Sequence, residues 1–419
     1  MTHVQQIHLP GQLVRDREIN LANTFEWGHL AVCTAPSGER YVLSDLLYNY
    51  YRYDKSDPRR PVEGQILTRY DASGAVICQV FVPGGTSFWG YPARSLSLLP
   101  DGSVLFSRKD NRAYRFDPAL TSATQAAAPG CPGEPVWAFR TRLTPTGRAV
   151  CLLGENVVAV SDEPVRARMP SLSAVTAMSV SDDVFWLDTA YCPPANAAGE
   201  GTPRSVLKQE LDEAFPRHRV DWLHDVVPLD DDIFVVLAIG WKKGAYKRGG
   251  HFVFALMDAN GKVRGRLDLD TYRDAAARGI RYDVVVDQRR RRVFHLNTFG
   301  LYVFDDTGAR IGHLSTGDKA YRPLKDMQLR EFDPTGNLVL VHEKKHLMLT
   351  IPVPDRLTDL PDVVVDSLDT FRKTALAIRR AERSRDPELG PNSYWTADAP
   401  LATFDPSTMT VTPREAARE

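Results

Sequence analysis

Residues 342–346 read His342-Glu343-Lys344-Lys345-His346 and match the H-E-x-x-H pattern, in which two histidines bind zinc and the glutamate acts as general base. That chemistry needs a helix, because only there do residues i and i+4 share a face. A second set is acidic. Asp225, Asp283 and Asp326 each open an apolar run ("HDVV", "YDVV", "KDMQ"). As corresponding residues of a repeat, their carboxylates would converge into an oxygen-rich site suited to Ca2+ or Mg2+. His224, beside Asp225, is then the candidate general base, and the two form the candidate catalytic pair. A third set is basic and aromatic. The segment "GWKKGAYKRGGH" (240–251) carries Trp241, Tyr246, Lys242, Lys243, Lys247 and Arg248 with no acid, and "YNYYRYDKSDPRRP" (48–61) carries four cations against Asp54 and Asp57. Cations set among flat rings attract anions and stack planar groups.

The elements that hold these residues decide among the chemistries. A unit recurs along the chain: an apolar run, a "PDG" or "PTG" turn, a second run, a polar turn, then an alternating strand ending in Asp. It is fullest in "RSLSLLPDGSVLFSRKDNRAYRFDP" (94–118) and returns at 140–162, 281–314 and 325–352, with looser copies near Gly28, Val175 and His224. Runs of four to eight residues rich in Val, Leu, Phe and Tyr, bounded by Gly, Pro, Asp or Asn, are strands joined by hairpins. Four-stranded units at this spacing predict an all-β fold, a β-propeller. Starts near 28, 95, 141, 175, 224, 282 and 326 give seven blades of four antiparallel strands. Six blades with an inserted helix is the alternative, because "TPRSVLKQELDEAFPRH" (202–218) reads as helical from Thr202 as N-cap and Pro203.

The hairpins at 69–82, 256–269 and 303–314 repeat an Asp–x–x–Gly turn, and with the "PDG/PTG" turns they resemble the broad superfamily of NHL-like and quinoprotein-like propellers over about residues 25–352. The resemblance implies architecture and leaves activity open, since propellers serve as lyases, lactonases, dehydrogenases and binding platforms.

In this frame "NLVLVHE" and "HLMLTIP" are two strands with Lys344-Lys345 at a solvated tip, so the zinc-protease geometry is excluded. Loops joining second to third strands share an end of the fold with segments that enter the next first strand. That end gathers Trp89, Tyr91, Arg94, Trp137, Arg140, Arg142, Trp222, Trp241, Lys242, Lys243, Tyr282 and Lys325, with His342 as a further ligand-binding candidate. Aromatics at such positions also wedge between blades, and long loops collect charge because they are solvated.

The closing strand of the ring is expected from "VQQIHLP" (4–10), with "DVVVD" (362–366) as competitor. Residues 1–354 form the propeller in this reading. Residues 355–419 add a helix over 366–386, with Leu368, Phe371, Ala375 and Ile378 on one stripe, and an extended tail packed on the propeller.

Charge is balanced, 52 Lys+Arg against 53 Asp+Glu, which argues against nucleic acid or a membrane surface as partner. Five cysteines, odd in number and never in C-x-x-C spacing, suit a reducing cytoplasm, and the N-terminus reads as no export signal. Three functions follow: binding of an anionic or aromatic-bearing small molecule or peptide at the loop-rich end, a metal-assisted hydrolase or lyase, and a scaffold that meets a protein partner through the C-terminal helix.

Overall fold

A computed structural model describes residues 2–15, 25–48, 64–83, 95–107, 113–125, 138–153, 157–165, 172–177, 206–242, 251–267, 269, 283–385 and 396–414. After β1 (His3–Gln6), β2 (Leu9–Pro10) and the short α1 (Gly11–Arg15), strands follow in groups of four. These are β3–β6 (Phe25–Thr34, Arg40–Tyr48, Gly64–Tyr70, Val76–Pro83), β7–β10 (Ser95–Leu98, Val104–Ser107, Ala113–Phe116, Ala123–Gln125) and β11–β14 (Ala138–Leu143, Arg148–Leu153, Val157–Pro164, Leu172–Ala177). After α2 (Val206–Ala214) come β15–β18 (His218–Pro228, Ile233–Lys242, His251–Asp258, Val263–Arg266) and β19–β22 (Asp283–Asp287, Arg292–Asn297, Gly300–Phe304, Arg310–Ser315). The sixth group is β23–β25 (Gln328–Phe332, Asn337–His342, Leu347–Pro352), and β1 supplies its fourth strand. The chain ends in α3 (Leu360–Arg385) and β26–β28 (Thr396–Ala397, Leu401–Asp405, Thr410–Pro413).

Six antiparallel meanders make this a β-propeller of six blades, not seven. The run near Val175 is no blade start. It is β14, the fourth strand of its sheet, paired with β13 through Val157↔Ala177 and Ser161↔Leu172. An apolar run reports that a strand is buried and says nothing of its rank in the sheet. The helix of the six-blade alternative is present as α2, where Leu211 and Phe215 are buried and Glu210 accepts the Val263 N–H at 3.0 Å. Residues 202–205 lie outside the described residues.

The residues fall into two compact units, 1–92 with 116–124 and 315–419, and 93–115 with 125–314. In the second unit β16 shows how a blade is buried. Phe234, Val236 and Ala238 join a core with Val150, Val158, Leu211 and Val253, while Val235 and Leu237 join another with Val284, Val293 and Tyr302. Both faces of the strand are covered, so it reads as a continuous apolar run. Each buried Leu, Val or Phe contributes about 1.5–3 kcal/mol.

Within the sheets, Asp–x–Thr/Ser–Gly turns fix the hairpins. The Asp305 carboxylate accepts the N–H groups of Thr307 (2.9 Å) and Ala309 (3.0 Å), and Asp333 does the same for Thr335 and Asn337. Such local bonds replace a ladder the turn cannot make. Gly308 holds φ at +86°, and a Cβ there would lie 2.6 Å from the Arg266 carbonyl oxygen, so glycine is required twice over.

In the first unit β1 runs antiparallel to β25, His3↔Thr350 to Gln6↔Leu347. β27 adds to the outer edge of the first sheet, parallel to β6 through Leu401↔Gln79 and Thr403↔Phe81, and β28 pairs with β27. The segment 362–366, weighed as a strand, is helical. Its Val363–Val365 run favours a strand locally, but Leu360, Val364, Leu368, Phe371 and Ala375 at helical spacing bury one continuous face. Among the described residues no helix is long and apolar enough to cross a membrane.

Candidate functional site

The β15–β16 hairpin is the longest pairing of the second unit, and its register carries the basic and aromatic residues out to one end. Val220 pairs with Gly240, Arg219 with Trp241, and His218 with Lys242. Directly opposed positions in a sheet lie close enough for their side chains to interact. By register, an arginine position thus lies opposite a tryptophan position and a histidine position opposite a lysine position. Lys243, Lys247 and Arg248 belong to the connection between β16 and β17, which lies outside the described residues, as do Trp89, Tyr91, Arg94, Trp137 and Tyr282. Arg140 sits in β11 opposite Leu152.

The segment Asp221–Asp225 was expected in a loop, and the structure places it inside β15 with two bulges. The register steps from Val220↔Gly240 to Trp222↔Ile239, and from Leu223↔Ala238 to Asp225↔Leu237, so Asp221 and His224 are the extra residues. A bulge twists a strand and re-aims its side chains. First strands β3, β11 and β23 carry one each, between His29 and Ala31, Ala138 and Arg140, and Leu329 and Glu331. Sequence reasoning missed these because a bulge changes no residue type.

His224 and Asp225 are both buried. The Asp225 carboxylate accepts the Val226 N–H at 2.9 Å and lies 3.7 Å from the Arg142 guanidinium on β11. A backbone N–H of its own strand and a cation of the neighbouring sheet thus both engage this carboxylate. Asp283 opens β19 opposite Leu296. Lys325 and Asp326 are exposed on a 3-10 turn ahead of β23 and belong to the other unit. Among the described residues no group of three or more His, Cys, Asp or Glu is arranged to hold a metal ion.

The H-E-x-x-H motif is not helical. His342 ends β24, Glu343–Lys345 form a 3-10 turn, and His346 adopts a left-handed conformation (φ 50°) before β25. The expectation of a solvated tip is corrected for the two histidines, which are 7% and 9% exposed. His342 stacks on Phe371 of α3, with ring centroids 5.8 Å apart at 15°, and the Lys345 ammonium lies 5.1 Å over the same ring. Burial, then the neighbouring His342, push the His346 pKa down to about 3. The His342 ring thus serves to seat the helix.

A buried polar cluster in the first unit also escaped the sequence. Arg40 donates to Gln5 Oε1 (3.0 Å) and Thr350 Oγ1 (2.9 Å), and Glu331 lies close by. Its members are scattered through the chain and share no motif, so only the fold assembles them.

No family model matches the chain. None of the curated proteins matches it. Among solved structures it is similar to YCF48 bound to D1 peptide, at 10% identity over 84% of this chain and 97% of that one, with a TM-score of 0.39. It is also similar to the Pan2 WD40 domain of Neurospora crassa (10% identity, 77% and 88% covered, TM-score 0.37) and to a luciferin-regenerating enzyme (11%, 62% and 71%, TM-score 0.35). Likenesses this distant carry no argument about function, and the propeller fold rests on the six sheets themselves.

Proposed function

We propose that this propeller is a binding protein for an anionic ligand, a peptide or a metabolite with flat groups, received at the basic end of the fourth blade. The β15–β16 register is the observation that supports it. The register places His218, Arg219, Trp241 and Lys242 at the end of one hairpin, and the chain continues into Lys243, Lys247 and Arg248 without an acid. A run of cations with interleaved aromatics and no acid attracts an anion. Trp89, Tyr91, Arg94, Trp137, Arg140, Tyr282 and Lys325 are the further candidates by their places before first strands. The NHL-like and quinoprotein-like resemblance and a cytoplasmic location belong to this reading, on the sequence alone.

The test is charge reversal of Lys242, Lys243, Lys247 and Arg248 to Glu, with a labelled poly-glutamate peptide as probe. The wild type binds it in a salt-sensitive way, since exposed cations are screened over about 8 Å at physiological ionic strength. The variant loses binding with its melting temperature nearly unchanged. Binding that survives reversal overturns the assignment.

A further inference from the structure

Helix α3 buries one face on the first unit through Leu360, Val364, Leu368, Phe371 and Ala375, leaves residues such as Val365 half-buried at its border, and exposes most of the rest. The exposed face is segregated by charge. Its first half carries Asp362, Asp366 and Asp369, and its second half Arg372, Lys373, Arg379 and Arg380, all exposed. In the middle of the basic half is Leu376, 56% exposed, with cations at i−4, i−3, i+3 and i+4. Residues at those spacings share a helix surface, so the four cations surround Leu376 one turn to either side.

The helix dipole does not account for the pattern. Its influence fades within the first and last turn, whereas Asp369, Arg372 and Lys373 lie mid-helix. Asp369 and Arg372 bridge at 2.9 Å, the one ion pair among the described side chains of the helix. On the basic side Arg379 and Arg372 both bear on the Lys345 ammonium.

We propose that this face is a self-association surface on which a second copy of the chain lays its own α3 antiparallel. Asp362, Val365, Asp369, Arg372, Leu376 and Arg379 recur at alternating spacings of three and four, the seam of a helix pair. Reversed against itself about a twofold axis, the seam sets Asp362 opposite Arg379, Val365 opposite Leu376, and Asp369 opposite Arg372. Each contact occurs twice, as an isologous interface demands. An acidic peptide would engage only the basic half and leave the acidic half without a role. One pair of helices buries less than the roughly 1,200 Å2 of a standard interface, so the dimer is weak and concentration-dependent.

Sedimentation velocity tests this on the full chain with two variants, Asp362→Lys/Asp369→Lys and Arg372→Glu/Arg379→Glu. The wild type dimerises as its concentration rises, and its affinity falls at least about tenfold from low to high salt. Each variant alone stays monomeric, because its seam bears a single sign, and an equimolar mixture of the two restores the dimer. Circular dichroism checks that both variants keep the wild-type fold. A wild type that is monomeric throughout overturns the proposal, as does a mixture that fails to pair or a variant that dimerises alone.

Discussion

The Glu331 carboxylate accepts two hydrogen bonds from one residue, the N–H of Thr34 at 2.8 Å and its hydroxyl at 2.7 Å. One side chain of β23 thus holds the end of β3, and Arg40, bonded to Gln5 on β1 and Thr350 on β25, lies in the same cluster. First sheet, last sheet and N-terminal strand meet on these few polar groups.

Burial outweighs the Thr34 bonds, and with the nearby Asp333 charge it raises the Glu331 pKa from 4.5 to about 7, while Arg40 pulls the other way. The stem of the residue keeps some exposure, but its carboxylate is enclosed. A carboxyl whose folded pKa is raised supports the fold fully below about 4.5 and loses that support as pH rises through about 7. Glu331→Gln keeps the acceptor for Thr34 and cannot ionise. Its melting temperature relative to the wild type should therefore climb between pH 5 and 8, by about 1 °C for each kcal/mol relieved in a chain of this size. Parallel pH profiles for the two proteins would contradict the raised pKa.

His346 acts in the opposite sense. With a folded pKa near 3 against an ordinary 6.5, it supports the fold fully above about pH 6.5 and loses that support as pH falls towards 3. Asn tolerates the left-handed backbone at this position and carries no titrating ring. His346→Asn should flatten the loss of stability between pH 6.5 and 4, read by thermal melting followed at 222 nm, where α3 contributes. An unchanged acid limb would place the sensitivity at His8, whose pKa burial lowers to about 4.

Phe404 on β27 is fully buried, edge-on to Phe116 with centroids 5.0 Å apart. Phe404→Ala should cost about 3 kcal/mol in chemical denaturation, the usual loss for an emptied aromatic site. It should also make residues 396–414 the first region cut by protease. Cleavage elsewhere first would mean that Leu401, Ala402 and Thr403, paired with β6, hold the strand unaided.

The β-hairpins, their Asp–Gly turns, the inserted helix and the all-β class were legible because each leaves a local pattern of apolar spacing and turn residues. Blade number was not, since β14 and a first strand look alike in one dimension. Candidate site residues were legible where the sequence is biased, as at Trp241–Arg248. His342 and His346 show the limit. Their identities suggest a ligand set, while the place of His342 against Phe371 depends on a helix that follows it in sequence and folds back over it.

The strand β27 is translated after every other sheet has received its own strands, yet it pairs with β6 of the first. Sheets two to five can form from near neighbours as the chain emerges, whereas the outer edge of sheet one waits for residues 401–403. Until then Gln79, Val80 and Phe81 present an unpaired edge, the part of a nascent chain most prone to join another molecule. The interval between the two segments thus sets how long that edge stays open to misassembly.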